Sequence, residues 1–502
     1  MNKKALVVIL VSVGIIILAA MPRLIELISG NYVFGFDQGK HWLAAKSIVI
    51  DHKFPLIGDE VGGRGGFFQG PGWYYLLAIP FFFFQGDPYG AVVLMFGIGV
   101  GIIILFLSLF YTLLSKKEVL AVAFMLSLAP ILISNSRFAW PPFVIPFLTV
   151  VLLRNVYLVC EKKYRHILGV FFTIGLMAHF EIATAGSLFI STVIIFGTFL
   201  MKEKIPIRYL LFGLVCFLIP LFPLIIFDIR HDFLNSRGVL ETLTGSKRYV
   251  GSTIEYLKIL SNHRMIFSDE FYRAFQVTYI PKIYLVGFMA AGSIAMIMDR
   301  KIPLVKKRFI GFLCLLPAVL FFVFIFYKDD LWPWWISELT VIYTVLGGII
   351  TSYAWKQGLI MKCIVVSILG LMILSYGQKT HQSFQNELSD YGGVHKIKGK
   401  KDALDVIFKD AQGEKFGLLV FTPPIYTYAY DYLIWWYGQS QYGYIPPSEK
   451  KGIFYLLIEP DTGEPWRHKG WIETVIKDGT IEKTWQLPSG FIIEKRTIKS
   501  SN

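Results

Sequence analysis

Gly72-Trp73-Tyr74-Tyr75-Leu76-Leu77-Ala78-Ile79-Pro80-Phe81-Phe82-Phe83-Phe84 is apolar throughout, and whether it crosses a membrane decides the sidedness of everything that follows. A crossing of about 30 Å of hydrocarbon takes roughly 17 to 25 residues, so about thirteen with an internal proline fit an interfacial or re-entrant helix better. On either side lie apolar runs, most of them long enough and the shorter ones tolerated inside a large bundle, near residues 5–27, 90–114, 118–134, 142–159, 166–180, 184–201, 208–227, 283–298, 309–327, 336–354 and 358–376. About eleven spans result by this length rule. Cytoplasmic connections carry the excess of Lys and Arg. Lys3-Lys4, Lys116-Lys117, Lys162-Lys163 with Arg165, Lys202 with Lys204 and Arg208, Arg300-Lys301 with Lys306-Lys307-Arg308, and Lys356 with Lys362 then share one side. Were Gly72–Phe84 a span, every later cluster would change sides. It is therefore laid on the outer surface.

Composition agrees. Of the 502 residues 55% are hydrophobic and 17% charged, with a mean hydropathy of +0.56, too apolar for an ordinary soluble protein. The net charge of +14 sits mostly in short clusters between apolar runs, where lipid orientation explains it and nucleic-acid binding is not required. Cys160, Cys216, Cys314 and Cys363 lie in or beside hydrophobic segments and form neither a disulfide framework nor a CxxC metal motif. Met1 to Ala20 has a basic start and an apolar run without a clear small-x-small cleavage site, which reads as an uncleaved first span. The expectation is a polytopic α-helical membrane protein, multi-pass in the cell membrane, with its N-terminus cytoplasmic.

Domain 1–376 then carries a first outer loop at 28–89 and a long outer loop at 228–282. After residue 376 the composition changes. Residues 377–502 contain a helix-like stretch at 400–412, a buried-strand run at Phe416–Phe421, an aromatic segment Tyr426–Tyr437, and strand-like runs at 453–459 and 479–497 with Pro488-Ser489-Gly490 as a turn. This predicts a small extracytoplasmic α/β domain, on the same side as the first loop. Within that loop, residues 37–51 read as a second membrane-lying helix with Trp42, Ala45 and Val49 on one face. Gly62-Gly63-Arg64-Gly65-Gly66 reads as a turn.

Ionisable groups beside the hydrocarbon boundary are costly and mark function by default. Asp37, between Gly35 and Gly39 at a helix start, is either a proton-accepting base or a plain helix cap. Gln38, Lys40, His41 and Gln69 lie around it in sequence. Asp228-Ile229-Arg230-His231-Asp232 follows a span, and Arg230 with His231 can hold a phosphate or form an ordinary interfacial charge cluster. Lys328-Asp329-Asp330 could bind phosphate or a divalent cation. Arg137 and Trp140 offer a cation and a stacking ring, with an interfacial tryptophan anchor as the alternative. His179 and Glu181 end a short span, where capping or packing is the alternative.

The order of first span, acidic outer loop, Pro-Gly-aromatic interfacial helix, many spans and outer C-terminal domain resembles the C-type membrane glycosyltransferases. Among these it is most similar to the protein O-mannosyltransferase and lipid A aminoarabinose transferase group. Asp37-Gln38 stands where that group has Asp followed by Glu. Gln69-Gly70-Pro71-Gly72-Trp73-Tyr74-Tyr75 stands where it has His-Pro-Pro-aromatic. The resemblance implies transfer of a sugar from a polyprenyl-phosphate donor to an acceptor hydroxyl, on a glycan, lipid or protein, with inversion. Asp37 would be the base, and Arg230, His231, Arg64 and Lys328 the phosphate cations. Gln38, Lys40, His41, Gln69, Arg137, Trp140, His179, Glu181 and Asp228 would line the substrate site. No cofactor is required and a divalent cation is compatible. The rival class is a transporter or lipid flippase, which places charges and broken helices near mid-membrane, commonly in repeated halves. Here charges within spans are few, and the sequence has no evident internal repeat. A non-catalytic membrane assembly protein is a third reading.

Overall fold

The structure is a computed structural model and describes residues 3–61, 67–203, 205–244, 253–275, 280–390, 392–423, 426–461 and 463–498. A helix fills each stretch expected to span: Lys3–Ala20, Tyr89–Phe110, Lys116–Leu128, Ile145–Cys160, His166–Met177, Ile182–Glu203, Ile207–Leu218, Lys282–Met298, Leu304–Ile325, Glu338–Ala354 and Leu359–Ser389. Five are long and apolar enough to cross alone, and a sixth results if Ile207–Leu218 and Phe222–Arg230, bent by 66°, form one span. Pro220 and Pro223 at that bend remove backbone donors and force the break. Four others, including His166–Met177 and Glu338–Ala354, are shorter apolar helices, so among the described residues helix length alone counts fewer than the eleven or so expected spans and leaves that number open. Lys116–Leu128 likewise stops at Ala129 and restarts at Pro130. Leu10, Ile17, Ile104, Leu211 and Val366 are exposed on these helices. Such faces suit hydrocarbon, and the architecture is that of a multi-pass membrane protein.

The deciding segment is a helix of twelve residues, Gly72–Phe83, with Trp73, Tyr74, Leu77 and Phe81 buried and Phe82 and Phe83 exposed. It packs on the Phe36–Val49 helix and on Tyr89–Phe110. The buried face of Phe36–Val49 is Gln38, His41, Trp42, Ala45 and Ile48, so Ile48 takes the place expected of Val49, and two polar residues share the inward stripe. The region expected as a long outer loop is largely helical, with Leu234–Thr244 and Thr253–Phe275, the latter against Glu338–Ala354.

Leu359–Ser389 runs unbroken through the composition change near residue 376. Beyond it come the helix Ile397–Ala411, β1 (Gly417–Phe421), the aromatic helix Tyr428–Tyr442, β2 (Ile453–Ile458), β3 (Thr480–Gln486) and β4 (Ile492–Thr497). The sheet order is β1-β2-β4-β3, with β1 parallel to β2 and the other pairs antiparallel. Parallel β1 and β2 need a crossover, and Tyr428–Tyr442 supplies it. This unit is fastened to the first loop. Phe34 N–H donates to His395 O and Ile397 N–H to Tyr32 O, each at 2.9 Å. The Gly86 carbonyl accepts from Trp42 Nε1 at 2.8 Å and from Tyr432 Oη. A Cβ on Gly39 would lie 2.4 Å from the Ala429 backbone, so only glycine lets these two helices approach this closely.

Candidate functional site

The Phe36–Val49 helix starts from Gly35, whose N–H donates to Gln38 Oε1 at 3.0 Å. Gln38 therefore closes the first turn, and its Nε2 donates to Ala139 O at 3.1 Å, binding the first loop to the 135–140 connection. That leaves Asp37 without a capping task. Among the described residues no hydrogen bond to its carboxylate accompanies it, and it lines a cavity of about 630 Å³. Burial pushes its pKa above the ordinary carboxylate value, with the charge of Asp59 adding to the rise while His41 and Lys40 oppose it.

Asp59, a residue the sequence did not single out, lines the same cavity. It accepts from His41 Nε2 at 2.5 Å and Tyr74 Oη at 2.9 Å, and pairs with Lys40 Nζ at 2.7 Å. Burial alone would raise its pKa. The His41 and Lys40 contacts outweigh burial and hold it well below the usual carboxylate range. Two carboxylates on one wall thus have environments that push them apart, which is how acid–base sites divide labour. Glu181, fully buried at the same cavity, is pushed by burial, and further by Asp59, up to about 8, and is a neutral acid at pH 7.

Much of the remaining lining is aromatic: Trp140, Trp332, Trp334, Trp335, Tyr426 and Tyr428. Trp140 meets Trp334 edge-on at 4.7 Å between centroids, and Trp332 stacks on Trp334 at the same distance. Apart from Trp140, none of these was a sequence candidate, because tryptophans beside a span ordinarily read as membrane-interface anchors. Lys40 is the one basic side chain among the described lining residues.

Other expected site residues are placed as follows. Gln69 lines the cavity, its backbone bonded to Gly58 and Asp59. His179 accepts from Gly72 N–H through Nδ1 at 3.1 Å and donates through Nε2 to Pro220 O at 2.7 Å. It braces the turn, and a Cβ on Gly70 would lie 2.2 Å from its Nδ1 and one on Gly72 2.6 Å from its Cβ. Arg137 pairs with Glu26 at 2.6 Å and Glu387 at 3.4 Å, a clamp between helices away from the large cavity. Asp228 caps the Leu234–Thr244 helix, accepting from Asn235 and Ser236 N–H. His231 is stacked on Phe227 at 4.1 Å with Nδ1 on the Phe227 carbonyl. Arg230 and Lys328 are exposed and not among the cavity's lining residues. Asp329 and Asp330 sit against His263 and Asn262. Among the described residues no group of three His, Cys, Asp or Glu side chains is arranged for a metal ion. Arg64 and the glycine turn lie outside the described residues.

With this geometry in hand, the whole chain superposes on ArnT from Cupriavidus metallidurans bound to undecaprenyl phosphate, with a TM-score of 0.59 at 10% identity over 98% of both chains. The apo state of the same protein gives 0.58 with the same identity and coverage. The fold is that of the C-type membrane glycosyltransferases. An oligosaccharyltransferase from Archaeoglobus fulgidus matches at a TM-score of 0.44, with 13% identity over 87% of this chain and 60% of that one. No protein-family model matches the sequence, and no curated protein matches it. At 10% identity the likeness is one of fold, and what the site does rests on its own residues.

Proposed function

We propose that this chain is a membrane glycosyltransferase that moves a sugar from a polyprenyl-phosphate donor to an acceptor hydroxyl, with Asp37 as the base. The observation that carries this is the pairing, on one wall of a cavity of about 630 Å³, of Asp37, raised and free of capping bonds, with Asp59, ionised and held by Lys40 and His41. Asp37 takes the proton of the acceptor hydroxyl as its oxygen attacks the anomeric carbon. The C–O bond to phosphate breaks on the opposite face, inverting that carbon. The released phosphate needs a cation, and Lys40 reaches from Asp59 toward the same space. Asp59 keeps Lys40 and His41 oriented, a positioning role. The tryptophan wall offers flat faces for the C–H side of a sugar ring. The bound lipid phosphate in the superposed ArnT structure supports the same donor class for this fold. Arg230, His231 and Lys328, exposed and outside the cavity's lining, suit a first encounter with the anionic lipid better than contact with the leaving group.

The test is sugar transfer by the purified full-length protein in lipid nanodiscs, using radiolabelled undecaprenyl-phosphate sugars. Asp37→Asn should abolish transfer without lowering the melting temperature. An active Asp37→Asn protein removes Asp37 as the base.

A further inference from the structure

A second cavity, of about 370 Å³, lies where the first loop meets the C-terminal unit, and it shares Phe36 and Tyr426 with the large one. Phe36 is the residue before Asp37. Its ring sits 5.6 Å from that of Tyr426, and the two side chains line both chambers. The polar groups here come from the C-terminal unit. Lys400 is 2% exposed, donates to the Val394 carbonyl, and has Glu459 Oε2 at 3.7 Å, too far for a hydrogen bond. An ammonium has three donors: one goes to Val394, the rings of Tyr430 and Phe491 lie 4.9 and 5.7 Å from Nζ, and among the described residues the remaining N–H bonds have no second hydrogen-bond acceptor within reach. Burial lowers its pKa, against the pull of Glu459. Glu459 Oε2 accepts from Tyr430 Oη at 2.5 Å, leaving Oε1 available. Asp461, Thr422 and His395 complete the polar lining, and Tyr426 and Tyr430 add ring faces.

We infer that this cavity is the acceptor subsite and that it takes a neutral, hydroxyl-rich glycan unit. The inference rests on the glycosyltransferase reading of the large cavity and adds to it where the acceptor binds and of what class it is. A sugar hydroxyl both donates and accepts. Spare ammonium donors beside carboxylate acceptors match several such hydroxyls at once. Each cation here already faces a carboxylate, Lys400 at 3.7 Å from Glu459 and Arg467 at 3.4 Å from Asp461, so an anionic acceptor meets no unpaired positive charge between them, which gives selection by exclusion. The chamber holds one or two pyranose rings, and a hydroxyl projecting past Phe36 and Tyr426 arrives at Asp37.

The test is equilibrium binding, to the full-length protein in nanodiscs, of tritiated neutral trisaccharides of gluco, galacto and manno configuration and of trigalacturonic acid. Undecaprenyl-phosphate binding is measured on the same samples. At least one neutral trisaccharide should bind and the acidic one should not. Lys400→Met and, as a milder change at the rim, Asp461→Asn should each weaken that binding about tenfold, as for one lost charge-assisted hydrogen bond. Both should bind undecaprenyl phosphate like the parent, which also reports an intact fold. Binding of no neutral trisaccharide, or of one unaffected by both substitutions, overturns the inference. Preferred binding of the acidic trisaccharide overturns it too. Loss of undecaprenyl-phosphate binding by the parent protein alone counts instead against the proposed function.

Discussion

The chamber at Asp37 sets four carboxylates, Asp37, Asp59, Glu60 and Glu181, against Lys40, whereas the chamber beyond Phe36 sets Lys400 against Glu459 and Asp461. In the first, the cation is held in place by a carboxylate. Lys40 is paired at 2.7 Å and one carboxylate stays ionised while its neighbour is raised. In the second, the cation keeps donors in hand and nothing pushes two acids apart. On the proposed reading, the difference is between groups tuned to move a proton and groups left free to hold hydroxyls. It follows that substitutions in the first chamber should act on turnover, and those in the second on acceptor affinity.

The sharpest break of that contrast would come from Asp37→Asn. It keeps shape and removes the base, so turnover should fall about a thousandfold or more, within the range for general-base loss, while donor binding survives. Lys40→Met comes next, at roughly a hundredfold in kcat, the size of one preorganised electrostatic contact. Its pH profile separates it from a structural defect. Ionised Asp37 is the active form, so activity falls as pH drops through its raised pKa. Lys40 lowers that pKa, so Lys40→Met should move the acid limb to higher pH. Asp59 raises it, so Asp59→Asn should move the limb to lower pH. Limbs moving in the same direction would break the assignment.

What the sequence could show follows from the same chemistry. The helices were legible because apolar runs and basic clusters record the bilayer directly, and the strands because β-rich runs sit between turns. The short Gly72–Phe83 helix was legible from length and Pro80 alone. Asp37 was visible as an acid between glycines, but cap and base look alike until Gln38 is seen doing the capping. Asp59 was missed because its partners Lys40, His41 and Tyr74 lie 15 to 19 positions away, and nothing local in Gly58-Asp59-Glu60 announces them. Lys400 and Glu459 are 59 positions apart and meet only through the fold. His179 is a different case. The imidazole against the Gln69–Gly72 turn comes from another helix end, and Gly70 and Gly72 make the room for its ring. Arg137 had the right charge, but Glu26 and Glu387 claim it.

Glu181 sharpens the comparison through stability. Its folded pKa, pushed up to about 8 by burial, lies above the unfolded value, so the folded state binds the extra proton. The contribution is complete below the unfolded value near pH 4.5 and is lost as pH rises toward 8. Glu181→Gln mimics the protonated acid and removes that slope. The melting temperature of Glu181→Gln should match the parent near pH 5 and exceed it by a few degrees near pH 9. Parallel curves across that range would mean that Glu181 is ionised in the folded protein.

The smallest effect is expected at Arg230, and it bears on where the donor phosphate rests. Arg230 ends the Phe222–Arg230 helix, is exposed, and is absent from the lining of the cavity that holds Asp37. A cation in that position is screened over roughly 8 Å at physiological salt, so it can attract an anionic lipid without stabilising the leaving group. Arg230→Ala should therefore leave kcat within about twofold of the parent and raise the KM for the lipid donor modestly, with the increase fading as salt is added. Lys40→Met should lose kcat at every salt concentration. If Arg230→Ala instead lost kcat as Lys40→Met does, the phosphate would sit at the Arg230 end of the loop, and Lys40 would be a structural partner of Asp59 only.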